Sequence, residues 1–165
     1  MPKIEIRYQR VGDAKRFFEI VTNPNFIYLD IKAKSLDDEI KWLKANPERR
    51  KNNKEWNYSI LCGGKVVGAI GMRINQARKH IGEIGYFIDE KYWGQGIATR
   101  AVKLIEKEGF ERLGLSRIEI LMRPENKASE KVTKKNGYIK EGRLRKYIKD
   151  KKGVLRDFWM YSKIK

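Results

Sequence analysis

Gly82-Glu83-Ile84-Gly85-Tyr86-Phe87-Ile88-Asp89-Glu90-Lys91-Tyr92-Trp93-Gly94-Gln95-Gly96-Ile97-Ala98-Thr99 is the stretch on which the reading of this chain turns. A β-forming run, His80–Asp89, passes into a short loop with two glycines and then straight into a helix expected from about Ile97 to Leu113. Within that helix Ile97, Ala101, Leu104 and Ile105 fall on one stripe, the mark of a buried face. The first amides of a helix have no partner inside it and point outward at the positive end of its dipole. Gly94 and Gly96 allow unusual φ and close approach, and Ala98 keeps the first turn uncluttered. This is the form of a phosphate or pyrophosphate site. An ordinary tight strand-to-helix connection uses the same residues, so spacing alone leaves both readings open.

Upstream, Ile4, Ile6 and Tyr8 alternate with charged residues as a first strand. Asp13 is expected to cap a helix carrying Phe17, Ile20 and Val21. Asn23–Leu29 is irregular and aromatic, and Ser35-Leu36-Asp37-Asp38 resembles a capping box opening a second helix with Ile40 and Leu43. Glu55–Cys62 and Lys65–Ile74 flank Gly63-Gly64, a two-residue hairpin turn that needs positive φ. Downstream, Arg117–Met122 is a short strand. Asn126 caps a helix that stops at Asn136-Gly137, and Tyr138–Ile148 and Val154–Ile164 make a hairpin around Asp150–Gly153.

The expected order is therefore β-α-α-β-β-β-α-β-α-β-β. That pattern implies an α+β (mixed α/β) fold with helices on both faces of the sheet and one domain over residues 1–165. The unit from His80 to Met122 should be a right-handed parallel crossover, and the hairpin from Glu55 to Ile74 makes part of the sheet antiparallel.

Trp93-Gly94-Gln95-Gly96-Ile97-Ala98 resembles the pyrophosphate motif of the GNAT acetyltransferases, Gln/Arg-x-x-Gly-x-Gly/Ala, with Trp93 where Gln or Arg is usual. Tyr-Trp-Gly-x-Gly-x-Ala-Thr is similar to the branch that acetylates ribosomal-protein N-termini and to its polyamine-acetylating relatives. Asn126-Lys127-Ala128-Ser129 and Lys135-Asn136-Gly137-Tyr138-Ile139-Lys140-Glu141-Gly142 agree in order and position. The resemblance implies a GNAT-like, largely antiparallel sheet of about seven strands and acetyl-CoA as cosubstrate.

By the same resemblance the backbone amides of Gln95, Gly96, Ile97, Ala98 and Thr99 hold the pyrophosphate. The main chain of Tyr86, Phe87 and Ile88 pairs with the pantetheine amides as an added strand, while the side chains of Phe87 and Ile88 read as core. Asn126 both caps its helix and binds cofactor. Ser129 stands, by position, where the departing thiolate would be hydrogen-bonded or protonated. Tyr138 is the alternative acid or a hydrogen-bonded core tyrosine. Glu83 is either the general base, directly or through water, or a carboxylate paired with a cation such as Arg73. Arg100, Lys103, Lys131, Lys134 and Lys135 are candidates for the 3′-phosphate end of coenzyme A, and Lys134 and Lys135 alternatively only complement the C-terminus of their helix.

Composition narrows the classes. Cys62 is the only cysteine and His80 the only histidine, so neither an internal disulfide nor a cysteine- or histidine-built metal centre is expected. No apolar run has the length of a membrane span, and residues 1–5 lack a signal-type apolar stretch, which makes the cytoplasm the default expectation. The net charge is +17, and residues 131–165 hold 13 Lys and Arg against 3 Asp and Glu. RNA or ribosome proximity, attraction of an anionic cofactor, and a merely lysine-rich surface all account for it. The rival class is a non-catalytic nucleic-acid-binding protein. RNA-recognition signatures are missing, and Trp42, Trp56, Trp93 and Trp159 are dispersed. The reading is an N-acetyltransferase, as monomer or homodimer. Its acceptor is a protein N-terminal α-amine, or alternatively a polyamine or other small amine.

Overall fold

A computed structural model of the chain describes residues 2–28 and 33–165. Its strands are β1 Ile4–Tyr8, β2 Glu55–Cys62, β3 Lys65–Ile74, β4 Ile81–Ile88, β5 Arg117–Met122, β6 Ile139–Lys149 and β7 Leu155–Ile164. The helices are α1 Ala14–Val21, α2 Leu36–Lys44, α3 Asn46–Lys51, α4 Ile97–Lys107 and α5 Lys127–Lys135. A π-helical turn, Glu108–Arg112, continues α4 to the end expected from sequence. Helix α3 was not foreseen. Ala45 closes α2 with φ −84° and ψ −8°, and Pro47 suits the first turn of a new helix. Leu29, at the end of the irregular segment read from the sequence, lies outside the described residues.

The seven strands form one sheet in the order β1-β2-β3-β4-β5-β7-β6. Only β4 and β5 run parallel, Ile81 to Ile84 beside Arg117 to Ile120, and every other pairing is antiparallel. The expected crossover is therefore present, and Gly63 and Gly64 take the positive φ their hairpin needs, +55° and +80°.

Alternation along the strands sorts the core into two layers. Ile84, Ile88, Ile70 and Met72 pack with Ile97, Ala101, Val102 and Ile105 of α4. On the opposite face Ala69 and Phe87 meet Ala14 and Phe17 of α1 and Leu43 of α2. Ser35 caps α2 by accepting from the Asp38 amide at 3.2 Å, while Asp38 accepts from Lys34 rather than from Ser35, completing only half a capping box.

Asp13 is a correction to the sequence reading. Its side chain makes no cap to α1. It accepts instead from both Arg7 terminal nitrogens at 2.8 Å, from Ser59 Oγ at 2.6 Å and from the Arg10 amide at 2.9 Å. These bonds tie the start of the helical layer to β1 and β2. Burial pushes the Asp13 carboxyl up, but Arg7, Ser59 and the Arg10 amide outweigh it and hold it below the ordinary range. A carboxylate depressed on folding stabilises above its unfolded value of about 3.9, and that stability is lost as pH falls through the folded value. Asp13→Asn should therefore lower stability at neutral pH by about 2 kcal/mol and flatten its fall below about pH 5. Urea midpoints against pH check this; a variant with the wild-type midpoint and slope contradicts it.

Candidate active site

The sheet is split at its centre. Strand β4 pairs with β3 out to Ile88, but with β5 only as far as Ile84 opposite Ile120. Beyond that point, among the described residues, Gly85–Ile88 have no strand on the β5 side. The Asp89 amide donates to Val67 at 2.8 Å and the Asn75 amide to Ile81 at 3.0 Å, so the odd-numbered residues of β4 turn their peptide groups toward β3. His80 accepts from the Ser116 amide at 3.0 Å, so the even-numbered ones face β5. By this alternation Tyr86 and Ile88 offer amides to the split, and Phe87 does not. The Phe87 main chain is spent on β3 opposite Ala69, a correction to the expectation that all three consecutive residues serve a ligand. The Ile88 carbonyl is taken too, by the Trp93 indole N–H at 2.7 Å, which leaves its N–H.

At the end of the split α4 begins. Gly96 is its N-cap with φ +75° and no side-chain cap, and Gly94 has φ +73°. The first helical bond runs from the Arg100 amide to the Gly96 carbonyl at 3.2 Å, so the amides of Ile97, Ala98 and Thr99 precede any intrahelical partner. Gln95 bonds back through its side chain to the Lys91 carbonyl at 3.1 Å, bracing the loop. A Cβ on Gly94 or Gly96 would meet nothing within 4 Å, so the open space there belongs to the glycines. Such a cradle fits a pyrophosphate.

The two faces of β4 carry different chemistry. On the α4 face the Tyr86 hydroxyl lies 3.1 Å from Ser129 Oγ, on the first turn of α5. Burial pushes the Tyr86 hydroxyl up to about 12, so it stays protonated and available to the serine. Asn126 caps α5 by accepting from the Ser129 amide at 3.1 Å, which fixes the serine's place. The Tyr86 side chain was not singled out from sequence, because a strand tyrosine at an alternating position reads as core. Tyr138 is a core residue, but its hydroxyl has no hydrogen-bond partner among the described residues, contrary to expectation.

On the other face, strand registers build a floor in rows. Glu55, Arg73, Glu83 and Glu119 stand side by side across β2 to β5, and the next row is Asn57, Gly71 and Gly85. Gly85, over which a Cβ would meet nothing within 4 Å, opens a trough between Glu83 and Phe87, while the Asn57 side chain covers Gly71. Helix α2 roofs it with Asp38, Glu39 and Trp42, enclosing a cavity of about 740 Å³. Four carboxylates, Asp38, Glu39, Glu55 and Glu83, line it with one guanidinium, Arg73, and a second, Arg49, lies 3.9 Å from Glu55. Arg73 lies 3.7 Å from Glu55, and Glu83 has no ion pair within 4.0 Å among the described residues. Burial pushes the Glu83 carboxyl up; Arg73 opposes this and Glu119 adds to it. Burial also raises Glu39.

A strap joins the faces. Glu90 accepts from the side-chain amides of Asn23 and Asn25, each at 2.7 Å, and Phe26 packs edge-on against Trp93 at 5.6 Å. Tyr28 donates to the Glu125 carbonyl at 3.3 Å, beside α5. The irregular segment thus fastens α1 to the cofactor loop. Only its aromatic content hinted at this.

The profile described as an acetyltransferase (GNAT) domain matches residues 3–139. The chain belongs to the GNAT acetyltransferase family. An N-acetyltransferase of Bacillus licheniformis termed p20 is 39% identical over 101 residues, 61% of this chain and 56% of that protein. The ribosomal-protein-serine acetyltransferase of Escherichia coli K12 is 27% identical over 84% of this chain and 74% of its own length. Spermidine N(1)-acetyltransferase of the same organism is 30% identical over 56% and 50%. The chain thus spans about half to three quarters of these relatives' lengths. The microcin C7 self-immunity acetyltransferase MccE, solved with acetyl-CoA and AMP, superposes with TM-score 0.88 at 25% identity. That superposition covers 99% of this chain and 93% of MccE.

The split, the glycine cradle and the uncapped α4 are what a GNAT fold needs to hold acetyl-CoA, and the residues present fit it. Gly96→Ala is expected to lower acetyl-CoA affinity at least tenfold, because the new methyl group fills the cradle. The left-handed backbone should cost the fold only about 1–2 kcal/mol. Calorimetry and a thermal melt separate the two effects, and unchanged affinity means the pyrophosphate binds elsewhere.

Proposed function

We propose that the chain is an acetyl-CoA-dependent N-acetyltransferase whose acceptor is a primary amine, first among them a protein N-terminal α-amine. The observation that carries this is Glu83. Its carboxylate lines an acidic trough, on the same strand and two residues before the open edge of β4 begins at Gly85. An ammonium is drawn in by the four carboxylates despite the chain's +17.

Glu83, directly or through water, takes the proton that the amine must lose before attack, and its raised affinity for protons suits it to that role. The nitrogen then bonds to the acetyl carbon, the carbon–sulfur bond breaks, and the proton the nitrogen sheds on becoming an amide ends on the thiolate. An amide aimed into the split, from Ile88 or Tyr86, polarises the thioester carbonyl. Ser129, backed by the Tyr86 hydroxyl, hydrogen-bonds the departing thiolate from the opposite face. The likeness to a ribosomal-protein acetyltransferase supports the N-terminal acceptor.

The acidic lining favours a second reading, a polyamine, which the likeness to a spermidine acetyltransferase also supports. Repulsion by the overall charge argues against a polyamine at long range, but within the trough the local field has the opposite sign. Acetylation of a panel of N-terminal peptides and of spermidine, side by side, decides between them.

Glu83→Gln should cut kcat by about 10²–10⁴-fold with acetyl-CoA affinity unchanged. The wild-type rate should rise with pH as Glu83 ionises, with this limb missing in the variant. The deficit should be smallest at acid pH, where Glu83 is protonated in the wild type as well, and should grow as it ionises. A variant that keeps the wild-type pH–rate profile removes Glu83 from the chemistry.

A further inference from the structure

The hairpin of β6 and β7 runs past the body of the sheet. Trp159 of β7 lies opposite Met122, the last residue of β5, so Leu155–Phe158 and their partners Leu144–Lys149 extend beyond it. Because β4 and β5 are parallel, this is also the end at which β4 gives onto the cofactor loop. Arg143–Asp157 hold seven Lys and Arg against two Asp.

Both aspartates are consumed inside the ribbon. Asp150 accepts from the Lys152 and Val154 amides at 2.9 Å and from Arg156 at 2.8 Å, closing the turn. Asp157 accepts from the Lys146 amide at 2.7 Å and from Arg143 Nε at 2.7 Å. Lys146, Lys149, Lys151 and Lys152 are exposed, and among the described residues none has a carboxylate within 4.0 Å.

At mid-ribbon the ladder breaks. Arg145, Lys146 and Tyr147 together oppose the single residue Asp157, and Lys146 sits at φ +51°. A lysine in left-handed backbone is strained and persists only where its surroundings hold it, here through Asp157. The bulge leaves Tyr147 51% exposed yet braced against Phe158, with ring centroids 6.0 Å apart. An exposed, immobilised aromatic ring among unpaired lysines is the combination that takes stacked bases and their phosphates.

We propose that this bulged ribbon is a binding platform for single-stranded nucleic acid, with Tyr147 stacking on a base and Lys146, Lys149, Lys151 and Lys152 meeting phosphates. Recognition is sequence-tolerant, since every base has a face to stack. Its place at the open end of the sheet would hold a nucleoprotein acceptor near the trough, but the binding itself is independent of acetyl transfer.

The test is fluorescence anisotropy of labelled oligouridine and oligoadenine with the full chain, between about 50 and about 200 mM salt. Tyr147→Ala and Tyr147→Leu should both weaken binding about 5- to 100-fold, the range for losing one stacked base. The leucine keeps the packing on Phe158, so a loss seen in both is not misfolding. Replacing Lys149, Lys151 and Lys152 by Gln should reduce the log–log salt slope by about 2. Acetyl-CoA affinity should stay at the wild-type value in every variant, which separates this claim from the acetyltransferase reading. Wild-type oligonucleotide affinity in both Tyr147 variants overturns the platform. So does tighter retention by phosphatidylserine vesicles or by duplex than by single strands.

Discussion

Everything at the site depends on the parting of β4 from β5 after Ile84. A parallel pair that closed to its end would leave no free edge in the middle of the sheet. A free edge in the open would be a liability, since unpaired amides invite foreign strands. Here the edge is short, and Trp93 already satisfies one of its carbonyls. Pairing with β3 fixes which residues can face the gap. The same alternation sends Glu83 to one face and Tyr86 to the other, so one strand separates the acidic trough from the Tyr86–Ser129 pair.

Electrostatics reinforces that division. The outer surface is strongly basic, yet the trough on the α1–α2 face is lined by carboxylates. Burial raises Glu83 and Glu39, with Glu119 adding to it at Glu83 against the opposing Arg73, while acids such as Glu130 and Glu141 are held at about 2 by their bonded cations and hydroxyl donors. The same residue type thus holds its proton less readily where it is paired and more readily in the trough, and environment alone makes the difference.

The element order and the cofactor loop were legible because their signals are local. Glycines before a periodic helix, Gly63-Gly64 between strands, and Asn126 three residues before the amide it caps each act within a few positions. What sequence left open rests on distant partners. Whether Glu83 is a base or half of an ion pair depends on β3, where Arg73 turned out to lie nearer Glu55. Asp13 looked like a cap because Ser59 and Arg7 could not be foreseen as its partners. The peptide direction of Phe87 follows from register with β3, which hydrophobic pattern does not encode. The exposure of Tyr147 goes with the bulge at Lys146, a break in pairing that no local sequence signal encodes.

We propose that the split in the sheet receives acetyl-CoA along β4. Amide hydrogen exchange with and without acetyl-CoA, resolved to single residues, tests it most directly. Protection should appear at Tyr86 and Ile88 and at Ile97, Ala98 and Thr99, while Phe87, already bonded to β3, stays unchanged. Protection confined to other segments, or equal gains at Phe87 and its two neighbours, would contradict it.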